Sequence, residues 1–181
     1  MSVKITYFAH GTTIDNERNI SSGWFDVELS DLGVKQSIDL NKNTKNIHFD
    51  AVFCSDLKRS IDSANLTWKG IFPIIIDKRL REFNYGDFNG KSSDVVELLQ
   101  EENIVKKFPN GESYEDVKIR IKEFLDFLKS EYDGKHIAIV GHKAPQLVLD
   151  VLLKGKNWEE AFAEDWRKRK DWQPGWEYIL D

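Results

Sequence analysis

Short apolar runs alternate with longer amphipathic stretches along this chain. The short runs are rich in β-branched and aromatic residues, which predicts strands at residues 3–8, 49–54, 71–76 and 136–140. The longer stretches repeat apolar residues three and four positions apart, which predicts helices at about 31–43, 56–68, 92–107, 113–132 and 144–153. Because strands that alternate with helices form βαβ units, we expect an α/β fold with three α/β/α layers around a mostly parallel central sheet.

Local signals support several of these boundaries. Ser30 and Ser113 precede predicted helices as N-caps, and acidic residues after Ser113 suit the first turn of a helix. Gly155 follows the last predicted helix, and residues 108–111 carry a strong turn signal. Pro73 lies within the third apolar run and indicates an edge or the start of a strand.

Length and composition indicate one globular domain. The chain has 181 residues, of which 40% are hydrophobic, so residues 1–181 suffice for a single domain with a substantial core. The net charge of −5 argues against a protein whose main partner is nucleic acid or an anionic membrane. The basic run Arg167-Lys168-Arg169-Lys170 is the exception, and we interpret it as a solvated helix end rather than a binding patch.

The single cysteine and the N-terminal residues indicate the cellular compartment in which we expect the protein. Cys54 is the single cysteine, so no internal disulfide is possible, and its apolar surroundings predict a packed core thiol rather than a nucleophile. Met1 leads almost directly into the first predicted strand, where no signal peptide fits. No apolar run is long enough to span a bilayer. We therefore expect a soluble, cytoplasmic protein with no membrane partner.

Two predicted strands end in histidine. The segment "ITYFAHG" ends at His10 and Gly11, and "IAIVGHK" ends at His142 and Lys143. Because ligands of parallel sheets bind beyond the carboxyl ends of the strands, neighbouring strands would bring both imidazoles to one crevice. A matched pair of histidines favours a catalytic role over the structural role that a lone histidine often has. A zinc site is the alternative, but catalytic zinc needs three protein ligands, and neither of the two other histidines falls at this edge.

Other polar residues collect at the same predicted edge. Arg59 lies in the first turn of a helix, where N–H groups and a guanidinium suit an anion, although a surface arginine on a capped helix is the ordinary alternative. Glu82 follows the third apolar run, and Asn16, Ser22 and Gly23 lie in the long loop after the first strand. This set suits a phosphoryl group, because imidazole can attack phosphorus, cations stabilise the oxygens and a carboxyl protonates the leaving oxygen.

Five segments resemble, in order, motifs of the histidine phosphatase superfamily, and they span nearly the whole chain. Together they are far more specific than any one of them alone. The resemblance implies a phosphoglycerate-mutase-like fold. The segments are "HGTTIDNERNISSGWFDVELSDLG", "CSDLKRSIDSA", "LREFNYGDFNG", "PNGESYEDVKIR" and "IAIVGH".

The resemblance also implies a role for each candidate residue. His10 would be the nucleophile that becomes phosphohistidine, and Glu82 would be the general acid and then the base for water. Arg59 and His142 would bind the phosphoryl oxygens. No metal and no organic cofactor is implied, and the implied partner is a small phosphorylated substrate. The further implied phosphate or substrate contacts are Gly11, Asn16, Ser22 and Gly23.

The sequence departs from the family pattern at two positions. The family's Arg-His-Gly is Ala9-His10-Gly11 here, so one cation is missing from the implied phosphate pocket. The loss of one transition-state donor commonly costs about 100- to 1000-fold in rate. Lys143 stands where the family usually has glycine, and one hypothesis is that it supplies the missing charge. The alternative is that Lys143 begins a helix and points to solvent.

Three functions remain open at this point. A phosphatase is favoured over a mutase, because mutases of this superfamily tend to carry a longer insertion than the stretch between Gly90 and Pro109. Residues 84–112 are expected to form a cap over the site. A non-catalytic phospho-ligand or protein-binding domain is the third function, and Ala9 favours it. The tryptophan-rich C-terminus is expected to pack on the core. The alternatives are that it forms a lid, a dimer contact or an aromatic platform for the substrate. The protein is expected to be a monomer or a homodimer.

Overall fold

The computed structural model describes residues 1–169, 172 and 175–181. Within them, the strands are β1 Val3–Ala9, β2 Ile20–Ser21, β3 Ala51–Cys54, β4 Ile74–Ile76, β5 Lys91–Ser92, β6 His136–Gly141 and β7 Trp176–Leu180. The α-helices are α1 Ile14–Glu17, α2 Asp31–Thr44, α3 Lys58–Trp68, α4 Ser93–Leu98, α5 Tyr114–Glu131, α6 Lys143–Lys154 and α7 Trp158–Ala163. Short 3-10 helices span Lys78–Leu80, Gly86–Phe88 and Trp166–Arg169.

The central sheet is mostly parallel, as the sequence predicts. Its strand order is β4-β3-β6-β1-β7. The first four strands in this order pair in parallel, and β7 lies antiparallel against β1 at the edge. Strands β2 and β5 form a separate two-stranded sheet. The carboxyl ends of β3, β6 and β1 therefore meet side by side at one edge of the sheet.

Helices cover both faces of this sheet. Alternate residues of a strand point to opposite faces, so β6 places Ile137 and Ile139 in one core cluster and Ala138 and Val140 in another. The first cluster includes residues of α5 and α6, which pack on each other, and the second includes residues of α2 and α3, which pair likewise. The chain therefore has the three α/β/α layers that its alternating elements predict.

The predicted helix at 92–107 is wrong in length, because α4 ends at Leu98. Beyond it, the carbonyl of Asn103 accepts the amide of Tyr114 at 3.0 Å, and that of Ile104 accepts the amide of Glu115 at 3.0 Å. Just after α4, the amides of Leu99 and Gln100 donate three residues back, to Val96 and Glu97, so this stretch folds as turns instead of continuing the helix.

Other predictions hold. Ser113 caps α5 through its bond to the amide of Asp116, and Gly155 ends α6 with a φ of 68°. The Cys54 side chain is fully buried, and burial raises the pKa of its thiol to about 12, so it is a protonated core thiol. Across the described part of the chain, no helix is both long and apolar enough to cross a membrane.

Candidate active site

The two strand-end histidines face each other. Strands β1 and β6 pair so that Ala9 lies opposite Gly141, which puts the next residues, His10 and His142, side by side. Their ring centroids are 5.1 Å apart and their planes are inclined by 56°. The prediction that neighbouring strands bring both imidazoles to one crevice is confirmed.

The His10 ring is held as a neutral imidazole with one nitrogen free. Its Nδ1 lies 2.7 Å from the carbonyl oxygen of Gly11. Because a carbonyl only accepts, Nδ1 carries the proton and Nε2 keeps its lone pair. Burial, with the nearby positive charge of Arg59, lowers the pKa of His10 to about 3. Gly11 permits this geometry, since a Cβ there would lie 2.4 Å from the carbonyl oxygen of Gly33.

The lowered pKa of His10 gives a pH prediction. Titration of the substrate-free protein, followed by imidazole NMR, is expected to show no protonation of His10 between about pH 5 and 8. Its pKa is about 3 in the folded protein and 6.5 in an ordinary environment. The contribution of His10 to the free energy of unfolding is therefore fully present above pH 6.5 and is lost as the pH falls toward 3. A His10 midpoint near 6.5 in the folded protein would contradict this, and the urea-unfolded chain serves as the control.

His142 presents an unpaired nitrogen at the same edge. Its Nε2 lies 2.7 Å from the hydroxyl oxygen of Ser55, which also accepts the amide of Leu57. We assign the Ser55 O–H as the donor to Nε2, which puts the ring proton on Nδ1. Within the described residues Nδ1 is buried without a hydrogen-bond partner. Tyr7 fixes the backbone of His142, since its hydroxyl donates to the His142 carbonyl at 2.8 Å and accepts the His142 amide at 2.6 Å.

The Ser55 hydroxyl is expected to matter for turnover. Replacing Ser55 with alanine removes the donor to His142 and leaves the ring free to change tautomer, so we expect kcat to fall about tenfold, in line with the loss of one hydrogen bond. Ser55→Thr keeps the hydroxyl and is the matched control. Steady-state kinetics on the two variants measure the effect. Equal kcat values for Ser55→Ala and Ser55→Thr would show that the hydroxyl does not act through His142.

Arg59 is a buried cation without a carboxylate partner. Its guanidinium donates to the carbonyl oxygens of Gly23 at 2.7 Å and Phe25 at 3.0 Å. No carboxylate of the described residues lies within 4.0 Å of it, and its side chain is almost fully buried. Burial lowers the pKa of Arg59, although the group stays charged. A buried unpaired charge is costly, so this position favours a bound anion.

Gly23 holds its carbonyl toward Arg59 through a left-handed backbone. Its φ is +54°, and a Cβ there would lie 1.8 Å from Oδ1 of Asn89. A larger residue would therefore displace either Asn89 or the carbonyl that binds the guanidinium.

Glu82 is fixed by three backbone amides. Its Oε1 accepts the amides of Phe83 at 2.8 Å and Ala144 at 3.0 Å, and Oε2 accepts the amide of Lys143 at 3.0 Å. Its backbone carbonyl accepts the indole N–H of Trp24 at 2.7 Å and the guanidinium of Arg120 at 2.9 Å. Glu82 therefore joins the loop after β4 to the first turn of α6, beside His142.

Lys143 does not point to solvent. It begins α6, but its side chain is only 12% exposed, and its ammonium lies 3.0 Å from Oε1 of Glu97 and 3.2 Å from Oδ2 of Asp165. Two carboxylates thus neutralise its charge. The hypothesis that Lys143 supplies a phosphate-binding charge stays a prediction.

The loop after β1 contributes polar groups. Asn16 Oδ1 accepts the amide of Thr13 in a capping box at α1, and the Ser22 hydroxyl donates to Asp15 at 2.8 Å. Asn16 and Ser22 both line the cavity at this edge of the sheet.

One cavity of about 890 Å³ connects these groups. Gly11 does not line this cavity, although its carbonyl oxygen contacts His10 Nδ1, and its predicted phosphate contact stays a prediction. Residues of α4 also line the cavity, among them Ser93, Asp94 and Glu97. Among the described residues, no group of three or more His, Cys, Asp or Glu side chains is arranged to hold a metal ion. The predicted site residues that line the cavity are His10, Asn16, Ser22, Gly23, Arg59, Glu82, His142 and Lys143.

The C-terminal segment forms part of the same wall. Trp166, Arg167 and Trp172 line the cavity, and the Arg167 side chain is only 22% exposed. The interpretation of the basic run as a solvated helix end is therefore wrong for Arg167, which borders the cavity. Lys170 lies outside the described residues.

Several supporting residues were not predicted as part of the site. Tyr7 and Arg120 lie in an ordinary strand and an ordinary helix pattern, and only their long-range contacts reveal them. Ser55 directly follows the predicted strand at residues 49–54. This position at a strand end is the sequence signal for its contact with His142. The remaining aromatic residues of the C-terminus pack as expected, since Trp158 contacts Tyr114 and Trp176 contacts Tyr7.

The sequence pattern of branch 1 of the histidine phosphatase superfamily matches residues 7–175. The chain belongs to the histidine phosphatase superfamily. A 2,3-bisphosphoglycerate-dependent phosphoglycerate mutase of Streptococcus agalactiae is 35% identical over 109 residues, and that of Streptococcus uberis is 36% identical over 112 residues. Each match covers 56% of this chain and 47% of the mutase, so the chain matches about half the length of these relatives.

Solved structures agree on the fold. Phosphoglycerate mutase from Bacillus anthracis has a TM-score of 0.74 at 26% identity, covering 85% of this chain and 81% of that one. A mycobacterial glucosyl-3-phosphoglycerate phosphatase in complex with VO3 has a TM-score of 0.79 at 23% identity, covering 88% of this chain and 86% of that one. This histidine phosphatase superfamily member therefore has the phosphoglycerate-mutase-like fold that its motifs imply.

Proposed function

We propose that this protein hydrolyses a small phosphate monoester through a phosphohistidine intermediate on His10. The observation that carries the proposal is the pair of neutral imidazoles of His10 and His142, whose ring centroids are 5.1 Å apart. They share one cavity with the guanidinium of Arg59, which has no carboxylate partner among the described residues. A dianionic phosphoryl group fits there, because it would pair that buried charge and accept the free Nδ1–H of His142.

In the first step, the lone pair of His10 Nε2 forms a bond to phosphorus while the ester P–O bond breaks. The leaving oxygen takes the electron pair and receives a proton from Glu82. Oε1 of Glu82 accepts two amides and Oε2 accepts one, so Oε2 keeps a lone pair for that proton. Arg59 and His142 stabilise the charge on the phosphoryl oxygens.

In the second step, water attacks phosphorus, and the N–P bond breaks to return its electron pair to Nε2 of His10. Glu82, now ionised, takes the proton of the attacking water. The sum of the two steps is ester plus water to alcohol plus inorganic phosphate, and both side chains return to their starting forms.

We also propose that residues 84–112 act as a cap that limits the size of the substrate. Three contacts tie α4 to the loop after β1: Ser93 N donates to Asn19 O, the Ser21 and Ser93 hydroxyls are 2.9 Å apart, and the Asn19 amide donates to Asp94. This arrangement keeps Ser93 and Glu97 on the cavity wall, where they would meet the leaving group.

Mutase activity is the second candidate, and the phosphoglycerate mutases among the curated relatives favour it. A panel of phosphate monoesters, with 2- and 3-phosphoglycerate included, separates the candidates. We expect release of inorganic phosphate from at least one monoester. Interconversion of the phosphoglycerates with little phosphate release would support a mutase instead. A lack of both reactions across the panel would support a non-catalytic domain.

A further inference from the structure

The described residues before β7 lie at the edge of the sheet where β1 ends. Strand β7 runs antiparallel to β1 with Trp176 opposite Tyr7. Trp166, Arg167 and Trp172 line the same cavity as Ala9 and His10. Aromatic contacts attach this segment to the sheet, with ring centroids 5.8 Å apart for Trp166 and Trp176. Arg167 of this segment therefore lines the same cavity as Arg59.

Arg167 is held in place at that position. Its Nη1 lies 2.7 Å from Oδ1 of Asp165, a carboxylate that is itself almost fully buried, and its guanidinium lies 4.8 Å from the Trp166 ring centroid. Arginine has five N–H donors, and only Nη1 donates to an acceptor in the described residues. The guanidinium is thus oriented by one carboxylate, and its other N–H groups have no acceptor among the described residues.

The positive charge of Arg167 acts on both imidazoles. The charges of Arg59 and Arg167, after the larger effect of burial, lower the pKa of His10 and of His142. Both rings therefore lie within the field of these two guanidinium groups. Arg120 also lowers the pKa of His142, but its guanidinium is bound by Glu112 and by the backbone carbonyl of Glu82. Lys143 is paired with Glu97 and Asp165.

The same segment carries two buried indole N–H groups. Nε1 of Trp166 and Nε1 of Trp172 have no hydrogen-bond acceptor among the described residues. A buried donor without an acceptor is costly, so both indoles point to a ligand rich in acceptor oxygens.

We propose that Arg167, in the C-terminal segment, is the second cation of the phosphoryl site and binds the phosphate group together with Arg59. This inference rests on the proposed function. It gives the site two guanidinium groups for a dianion, although Ala9, at the end of β1, brings no charge.

Calorimetric titration with inorganic phosphate tests this role. We expect Arg167→Gln to weaken phosphate binding about 10- to 100-fold, as the loss of a charge-assisted hydrogen bond does. Lys122→Gln removes the same charge from an exposed pair with Asp126 on α5, and it should bind phosphate like the unchanged protein. Thermal unfolding of each variant confirms that it is folded.

A double-mutant cycle makes the test specific. Ala9 lines the cavity beside His10, so Ala9→Arg can bring a guanidinium from β1. We expect Ala9→Arg to restore most of the affinity lost in Arg167→Gln and to add little to the unchanged protein, because the two positions serve the same ligand. Equal gains in both backgrounds would overturn the inference.

The failure of this inference differs from the failure of the proposed function. If the unchanged protein binds phosphate and Arg167→Gln binds it equally well, the role of Arg167 is overturned and the phosphatase proposal stands. If the unchanged protein binds no phosphate, both proposals are overturned.

Discussion

Replacing His10 with asparagine is expected to reduce phosphate release by about 10⁴-fold or more, because the variant has no nitrogen lone pair to attack phosphorus. Asparagine is the informative substitution, since its side-chain amide can still donate to the Gly11 carbonyl as Nδ1 of His10 does. The loss of rate should therefore reflect the missing nucleophile rather than a rearranged loop.

The measurement compares initial rates of phosphate release for His10→Asn and His48→Asn. His48 is exposed in the loop before β3, away from the cavity, so His48→Asn is expected to retain full activity. Inorganic phosphate should still bind His10→Asn, because Arg59 and His142 remain. Retention of more than about a tenth of the activity in His10→Asn would mean that another group attacks phosphorus.

Replacing Glu82 with glutamine is expected to slow the reaction by about 100- to 10,000-fold for alkyl phosphates, whose leaving oxygen needs a proton. For an activated aryl phosphate the phosphorylation step needs little protonation, so its rate should change far less. Glutamine also places N–H groups against backbone amides that Glu82 now accepts, so some loss of stability is expected.

The informative quantity is the ratio of the rate with the aryl phosphate to the rate with the alkyl phosphate. A loss of folded protein reduces both rates equally and leaves this ratio unchanged. The rate of His10 phosphorylation is followed by rapid quench for each substrate. Glu123→Gln, an exposed change on α5, is the control for the removal of a carboxylate. An equal slowing of alkyl and aryl phosphates would exclude Glu82 as the acid.

Much of the fold is predictable from the sequence because it is encoded by local patterns. The apolar runs that end at His10 and His142 pair in the structure as neighbouring parallel strands, and Ser113 caps α5. The helix predicted at 92–107 ends early because the amides just after α4 donate three residues back and the chain folds as turns. The periodicity of apolar residues does not show where such turns replace a helix.

The site is predictable to the extent that it lies at strand ends. His10, Glu82 and His142 follow apolar runs that the sequence identifies, and Arg59 lies in the first turn of a predicted helix. The cavity brings all four together. The position of Arg167 on the cavity wall was not predictable, because it depends on the antiparallel pairing of β7 with β1, two strands from opposite ends of the chain. A basic run at a helix end looks the same whether it faces solvent or a cavity.

Trapping of the phosphoenzyme tests the central claim most directly. The protein is mixed with a substrate from the monoester panel, quenched within the first turnover and digested at alkaline pH, and peptides are analysed by mass spectrometry. The mechanism predicts one acid-labile, base-stable phosphate on His10 that is absent in His10→Asn. Phosphate release without any phosphorylated His10, or with phosphate on another residue, would contradict the phosphohistidine mechanism.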